Sequence, residues 1–80
     1  MRLDKYLKVS RLIKRRTVAN EACDAGRILI NDKVAKAGTK VKVDDIIEIQ
    51  FGTRVTKVKV LDMNEHAKKE EAKNLYEVIQ

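Results

Sequence analysis

The spacing of apolar residues changes at Gly26, and that change constrains the fold more than any other feature of the chain. Before Gly26 the spacing is helical. Leu3 and Leu7, with Tyr6 beside them, form an i, i+4 stripe over residues 2–9. Leu12 and Ile13 anchor the segment 10–16, and Val18, Ala22 and Ala25, with Ala19 and Cys23, give residues 17–25 a small-residue apolar face. Thr17 is the expected N-cap of that second helix and Gly26 its stop. After Gly26 the period is two. Ile28-Leu29-Ile30, Lys33-Val34-Ala35, Val41/Val43, Ile47/Ile49/Phe51 and Thr56/Val58/Val60 read as short strands. Asn31-Asp32, Asp44-Asp45 and Gly52-Thr53 read as the turns between them. The fold class expected is α+β: two short N-terminal helices packed on a small, curled, largely antiparallel sheet. Phe51, in an alternating strand, is expected in the core.

The tail differs. Ala72, Leu75, Tyr76 and Ile79 recur at helical spacing, Asn64 can cap, and Glu65/Lys69 and Glu70/Lys73 can pair, predicting a helix over 65–79. The expected organisation is a domain over 1–63 with an amphipathic tail over 64–80. Eighty residues leave no room for a second core.

Charge is strongly polarised. Residues 1–40 hold 11 Lys+Arg against 4 Asp+Glu, whereas residues 41–80 hold 7 against 8. Arg2, Lys5, Lys8, Arg11, Lys14, Arg15 and Arg16 are opposed in the first 16 residues by Asp4 alone. A basic face at one end suits a polyanion, and guanidinium forks suit phosphate oxygens. Lys14-Arg15-Arg16 sits beside the expected helix start, where free N–H groups add to the anion site. A solvated charged surface is the plainer reading of one basic run, but clustering, helix-end placement and confinement to one end coincide here.

Asp4 admits two readings. It can orient Arg16 across the helices or accept from an RNA 2′-OH or base amine; equally, it can be a first-turn carboxylate or an i, i+4 partner of Lys8. Tyr6 is expected mostly in the core with its hydroxyl at the rim. With so few aromatics, a base-stacking platform is not expected, and structured RNA read through backbone and shape fits better.

Catalysis has no visible constellation. Cys23 reads as a small buried hydrophobe, and His66, the sole histidine, lies in the acidic tail. No Cys/His cluster suggests zinc and no glycine-rich loop suggests a nucleotide, so no catalytic residue, metal or cofactor is expected. The chain has no apolar run long enough for a membrane span and no leader, predicting a cytoplasmic, non-enzymatic module, monomeric when free. A helix-turn-helix reading for DNA is the main rival, weakened because residues 18–26 contain no Lys or Arg. The other is a protein adaptor working through the 65–79 helix.

Arg2-Leu3-Asp4-Lys5-Tyr6-Leu7, then Arg15-Arg16-Thr17, Gly26-Arg27-Ile28-Leu29-Ile30-Asn31 and Val41 to Ile49 together resemble the S4-type RNA-binding domain. The resemblance covers roughly residues 1–50. It implies the αL arrangement of two helices on a bent sheet, with RNA against the helices. It implicates Arg2, Lys5, Arg11, Arg15, Arg16, Thr17 and Asn20, with Arg27 at the edge; Asp4, Lys8 and Lys14 join them on charge and position. Asp32 stands where the family usually has a turn glycine. The short tail of mixed charge resembles stand-alone members acting in ribosome-associated quality control, rather than the heat-shock members with a longer basic extension. That resemblance implies binding to an obstructed large ribosomal subunit, at 23S rRNA and the P-site peptidyl-tRNA. It also implies support of RqcH, an NFACT-family protein, in adding C-terminal alanine tails to stalled chains.

Overall fold

The computed structural model describes residues 1–79. Helix α1 spans Leu3–Val9 and α2 spans Arg16–Asp24. The five strands are β1 (Ile28–Ile30), β2 (Lys33–Val34), β3 (Ile46–Phe51), β4 (Arg54–Val60) and β5 (Tyr76–Val78). They form one antiparallel sheet in the order β2-β1-β3-β4-β5.

Leu3, Tyr6 and Leu7 of α1 are buried as one stripe, and α2 meets them with Ala19, Ala22 and Cys23. Small side chains on α2 let the backbones approach closely. α2 ends in paired bonds from Gly26 N–H to the Cys23 carbonyl (3.0 Å) and Arg27 N–H to the Ala22 carbonyl (3.0 Å). Gly26 takes φ +73°, the left-handed conformation that this Schellman ending requires. The start of α2 differs from expectation. Arg15, extended at φ −115° and ψ 132°, is the N-cap, and Thr17 lies inside the first turn. Buried Ile13 anchors the link and its amide bonds the Leu7 carbonyl, so tertiary packing rather than capping chemistry sets where the helix resumes.

The β1–β2 turn has positive φ at both Asn31 (50°) and Asp32 (69°), the pattern of a type I′ hairpin without glycine. Asn31 earns its place through its side chain: Oδ1 accepts from the Ile46 amide (3.0 Å) and Nδ2 donates to Asp45 (3.1 Å). In the β3–β4 hairpin, Gly52 supplies φ +58° at the first turn position, where a Cβ would be strained. Ile28, Ile47, Ile49, Val58 and Val60 cover the inner face. On the outer face Glu48 pairs with Lys57 across β3–β4 (3.6 Å).

Further expectations are corrected. Val41 and Val43 form no strand. Val41 is buried, but its amide bonds the Met1 carbonyl (2.9 Å), and only an isolated bridge joins Lys40 to Arg2. Phe51 is 39% exposed, because it ends β3 beside the hairpin turn, where α2 flanks it across an open groove rather than covering it. The 65–79 helix is replaced by a 3₁₀ helix over Lys69–Leu75 followed by β5, which pairs Val58↔Val78, Lys59↔Glu77 and Val60↔Tyr76. Satisfying the β4 edge outweighs the weak gain of a lone helix. Asn64 instead accepts from the His66 amide (3.0 Å), and Glu65 leaves Lys69 for Lys5. Ala72 and Leu75 are buried, and the Tyr6 hydroxyl donates to the Leu75 carbonyl (2.7 Å). That hydroxyl is therefore buried against the tail, not at the rim of the basic face. Gln80, the last residue of the expected tail, lies outside the described residues.

Candidate nucleic-acid interface

The chain holds α1 against the rest through backbone bonds. The Leu3 amide donates to the Thr39 carbonyl (2.8 Å) and the Asp4 amide to the Ala37 carbonyl (3.1 Å). Two amides at the start of α1 are satisfied by the 37–39 loop, so the Asp4 side chain has only the Lys5 amide of its own helix to satisfy. It turns inward, 2% exposed. Oδ1 accepts from the Lys5 amide (2.8 Å), Arg2 Nε (3.3 Å) and Arg16 Nη2 (3.4 Å). Oδ2 accepts from Arg2 Nη2 (3.3 Å) and Asn20 Nδ2 (3.4 Å), with Arg16 Nε also at 3.4 Å. Its oxygens are thus occupied by protein donors, and no pair with Lys8 forms. Of the readings of Asp4, the geometry realises two at once: the carboxylate sits in the first turn of α1, bonding the Lys5 amide, and it holds Arg16 across the helices.

Burial by itself would raise the Asp4 pKa. The hydrogen bonds and charge of Arg16, the Lys5 amide and the Asn20 amide outweigh it, holding the carboxyl below its ordinary range. The two guanidiniums remain open on their other edges, with side chains 55% exposed at Arg2 and 48% at Arg16. Arg16 opens α2, which has neither a side-chain cap nor an acid in its first turn. Free N–H groups and two pre-oriented forks therefore face the same region. Asp4, Arg16, Thr17, Asn20 and Glu21 line a groove of about 380 Å³ there.

The other sequence-selected residues take different positions. Lys5 Nζ pairs with Glu65 Oε1 at 2.9 Å, so the tail reaches over the basic face. This hydrogen bond and the Lys5 charge hold the Glu65 pKa down. Lys8, Arg11, Lys14 and Arg15 are exposed along the end of α1 and the link. Arg11 adopts φ +61° just past the α1 C-cap, a left-handed conformation that disfavours a side chain. Arg27 stands apart, lining a second groove with Val18 and Phe51. Cys23 is buried; desolvation, then the Asp4 and Asp24 charges, push its thiol up to about 11 and keep it protonated.

Sequence reasoning passed over a neighbouring group. Lys36, Lys40 and Lys42 are exposed on the loop that straps α1. Lys40 bridges the Arg2 backbone, and a Cβ on Gly38 would lie 3.8 Å from Arg2 Nη2. Their signal was a 33–42 segment with four lysines and no acid.

The family model for the S4 domain matches residues 1–47 of this chain. The RQC P-site tRNA stabilizing factor of Streptococcus pneumoniae is 58% identical over 99% of this chain and 90% of its own length. The chain belongs to the S4-domain family, among the RQC P-site tRNA stabilizing factors. The Bacillus subtilis protein of that name is 52% identical over 99% of this S4 chain and 92% of its own. Heat shock protein 15 of Vibrio cholerae shares the fold, with a TM-score of 0.88 and 25% identity over 98% of this chain and 80% of that one. The helical face described above falls largely within the S4 match.

Proposed function

We propose that this chain is an RqcP-type, non-enzymatic RNA-binding factor of ribosome-associated quality control, stabilising P-site tRNA on an obstructed large ribosomal subunit. Its RNA contacts are Arg2, Lys5, Lys8, Arg11, Lys14, Arg15, Arg16, Thr17, Asn20 and Arg27, with Asp4 positioning the first and last guanidiniums of the N-terminal cluster. In this reading it touches 23S rRNA and P-site peptidyl-tRNA together and supports RqcH-dependent alanine tailing. The observation that carries it is the buried Asp4 carboxylate presenting Arg2 and Arg16, half-open, beside the uncapped start of α2. The names of the relatives support the tRNA and quality-control assignment.

The physical logic is pre-organisation. A free arginine loses side-chain entropy on gripping phosphate, about 2 kcal/mol for the whole side chain. A guanidinium already held at one edge by Asp4 has lost much of that freedom and keeps donors for a phosphate. Beyond Arg16 at its start, the exposed face of α2 carries Glu21 and Asp24 and no further cation, which disfavours its insertion into a DNA groove. The 65–79 helix that the adaptor reading needs does not form, and Ala72 and Leu75 are buried, leaving only Val78 of β5 and the adjacent Ile79 exposed, which disfavours that reading.

Crosslinking the protein to RNA in cells tests the proposal. Large-subunit rRNA together with tRNA is the expected product, and recovery of messenger RNA or DNA instead would overturn it.

A further inference from the structure

The apolar groove on α2 holds, apart from Arg27, none of the residues assigned to the phosphate contacts. Val18, Glu21, Ala22, Ala25, Arg27 and Phe51 line a space of about 280 Å³. Val18, Ala22 and Ala25 are at i, i+4 and i+7, one stripe of α2; Thr17, Asn20 and Glu21 of the Asp4 groove lie on the adjoining stripe. Glu21 lines both grooves, so they adjoin across a helix whose diameter is about 10–12 Å.

Phe51 and Val18, each 39% exposed, present apolar surface that folding leaves unburied. An exposed aromatic ring in a groove that a guanidinium and a carboxylate also line suits a flat ligand with a polar edge. An apolar peptide face would leave those two charges poorly solvated. The space accommodates one ring system and not a helix.

We propose that this groove receives an unpaired nucleobase of the RNA whose phosphates occupy the Arg2–Arg16 region. The base stacks on Phe51 and contacts Val18, Ala22 and Ala25. Arg27 meets the flanking phosphate or the base face, and Glu21 accepts from an exocyclic amine, which explains an acid amid a basic interface. This extends the interface from shape and charge to a base contact, and it rests on the RNA-binding reading above.

The test compares two probes on the full-length protein: bulk tRNA, which has bases, and inorganic polyphosphate, which has charge alone. Phe51→Ala should weaken tRNA binding by about 5- to 150-fold, the range for losing one stacked base. It should leave polyphosphate binding and the circular dichroism spectrum unchanged, and Phe51→Trp should retain tRNA binding. Wild-type tRNA affinity in Phe51→Ala would overturn the proposal, as would equal losses for both probes. Wild-type protein that binds polyphosphate but not tRNA would instead defeat the underlying RNA reading, and this inference with it.

Discussion

The Asp4 carboxylate and the Arg16 guanidinium meet across the two helices, Nε to Oδ2 at 3.4 Å and Nη2 to Oδ1 at 3.4 Å. One partner is buried and the other half-open, so the contact joins packing to recognition. The acid belongs to the fold and the arginine to the surface that the fold displays.

Arg16→Ala should weaken RNA binding by about 1.5–3 kcal/mol, the range for a hydrogen bond to a charged group. Its cost in stability should be smaller, about 1 kcal/mol or less, because Arg16 is half-exposed and Asp4 keeps Arg2, Asn20 and the Lys5 amide. Arg16→Lys should recover only part of the affinity, since an ammonium lacks the fork. Equilibrium binding and thermal melts of the two variants check both statements.

Asp4 has a depressed pKa when folded, so its contribution to stability is full above its unfolded value, ordinarily 3.8, and is lost as pH falls through the folded value. Wild type should therefore be more stable than Asp4→Asn at pH 7. The gap should close only in acid well below pH 3.8, where the carboxyl is neutral in both states. Melting temperature against pH for the two proteins measures this. RNA affinity of Asp4→Asn at pH 7 should fall despite its more positive charge, because both guanidiniums lose their anchor.

Glu65 occupies Lys5 in the free protein, and RNA must displace it to use that lysine. Glu65→Gln should tighten RNA binding while leaving the melting temperature nearly unchanged, because the pair is largely solvent-exposed. Weaker binding by the variant, seen in the same titration, would mean that Glu65 helps rather than competes.

Deleting residues 64–80 removes β5, leaves the β4 edge unpaired and takes away Leu75, whose carbonyl accepts from the buried Tyr6 hydroxyl. A large loss of melting temperature is expected. Tyr6→Phe is the finer probe: the Leu75 carbonyl keeps the Leu61 and Asp62 amides, so losing the hydroxyl should cost about 0.5–1.5 kcal/mol without changing the basic face.

Local chemistry made much of the fold legible. Asn31-Asp32 and Gly52-Thr53 fall at the two tight hairpins, and the alternation of Ile47/Ile49 and Val58/Val60 matches the buried face. The misreadings share a non-local cause. Tyr76 and Val78 fit a strand as well as Leu75, Tyr76 and Ile79 fit a helix, and the vacant β4 edge decides between them. Val41 alternates with Val43, but its amide is claimed by Met1. At the site, the basic cluster could be read from charge alone. The convergence of Arg2, Arg16 and Asn20 on Asp4 spans two helices and has no periodic signature, while Lys36, Lys40 and Lys42 join the face only because the loop straps α1.

The salt dependence of tRNA binding, in wild type and in the Arg2→Ala/Arg16→Ala double variant, tests the phosphate-gripping face most directly. If roughly five phosphates are neutralised, the wild-type slope of log affinity against log salt should be about −3.5 to −4.5. The double variant should be shallower by about 1.4–1.8, the share of two phosphate contacts. A flat wild-type response, or an unchanged slope in the variant, would contradict the assignment of Arg2 and Arg16 as the phosphate-gripping pair.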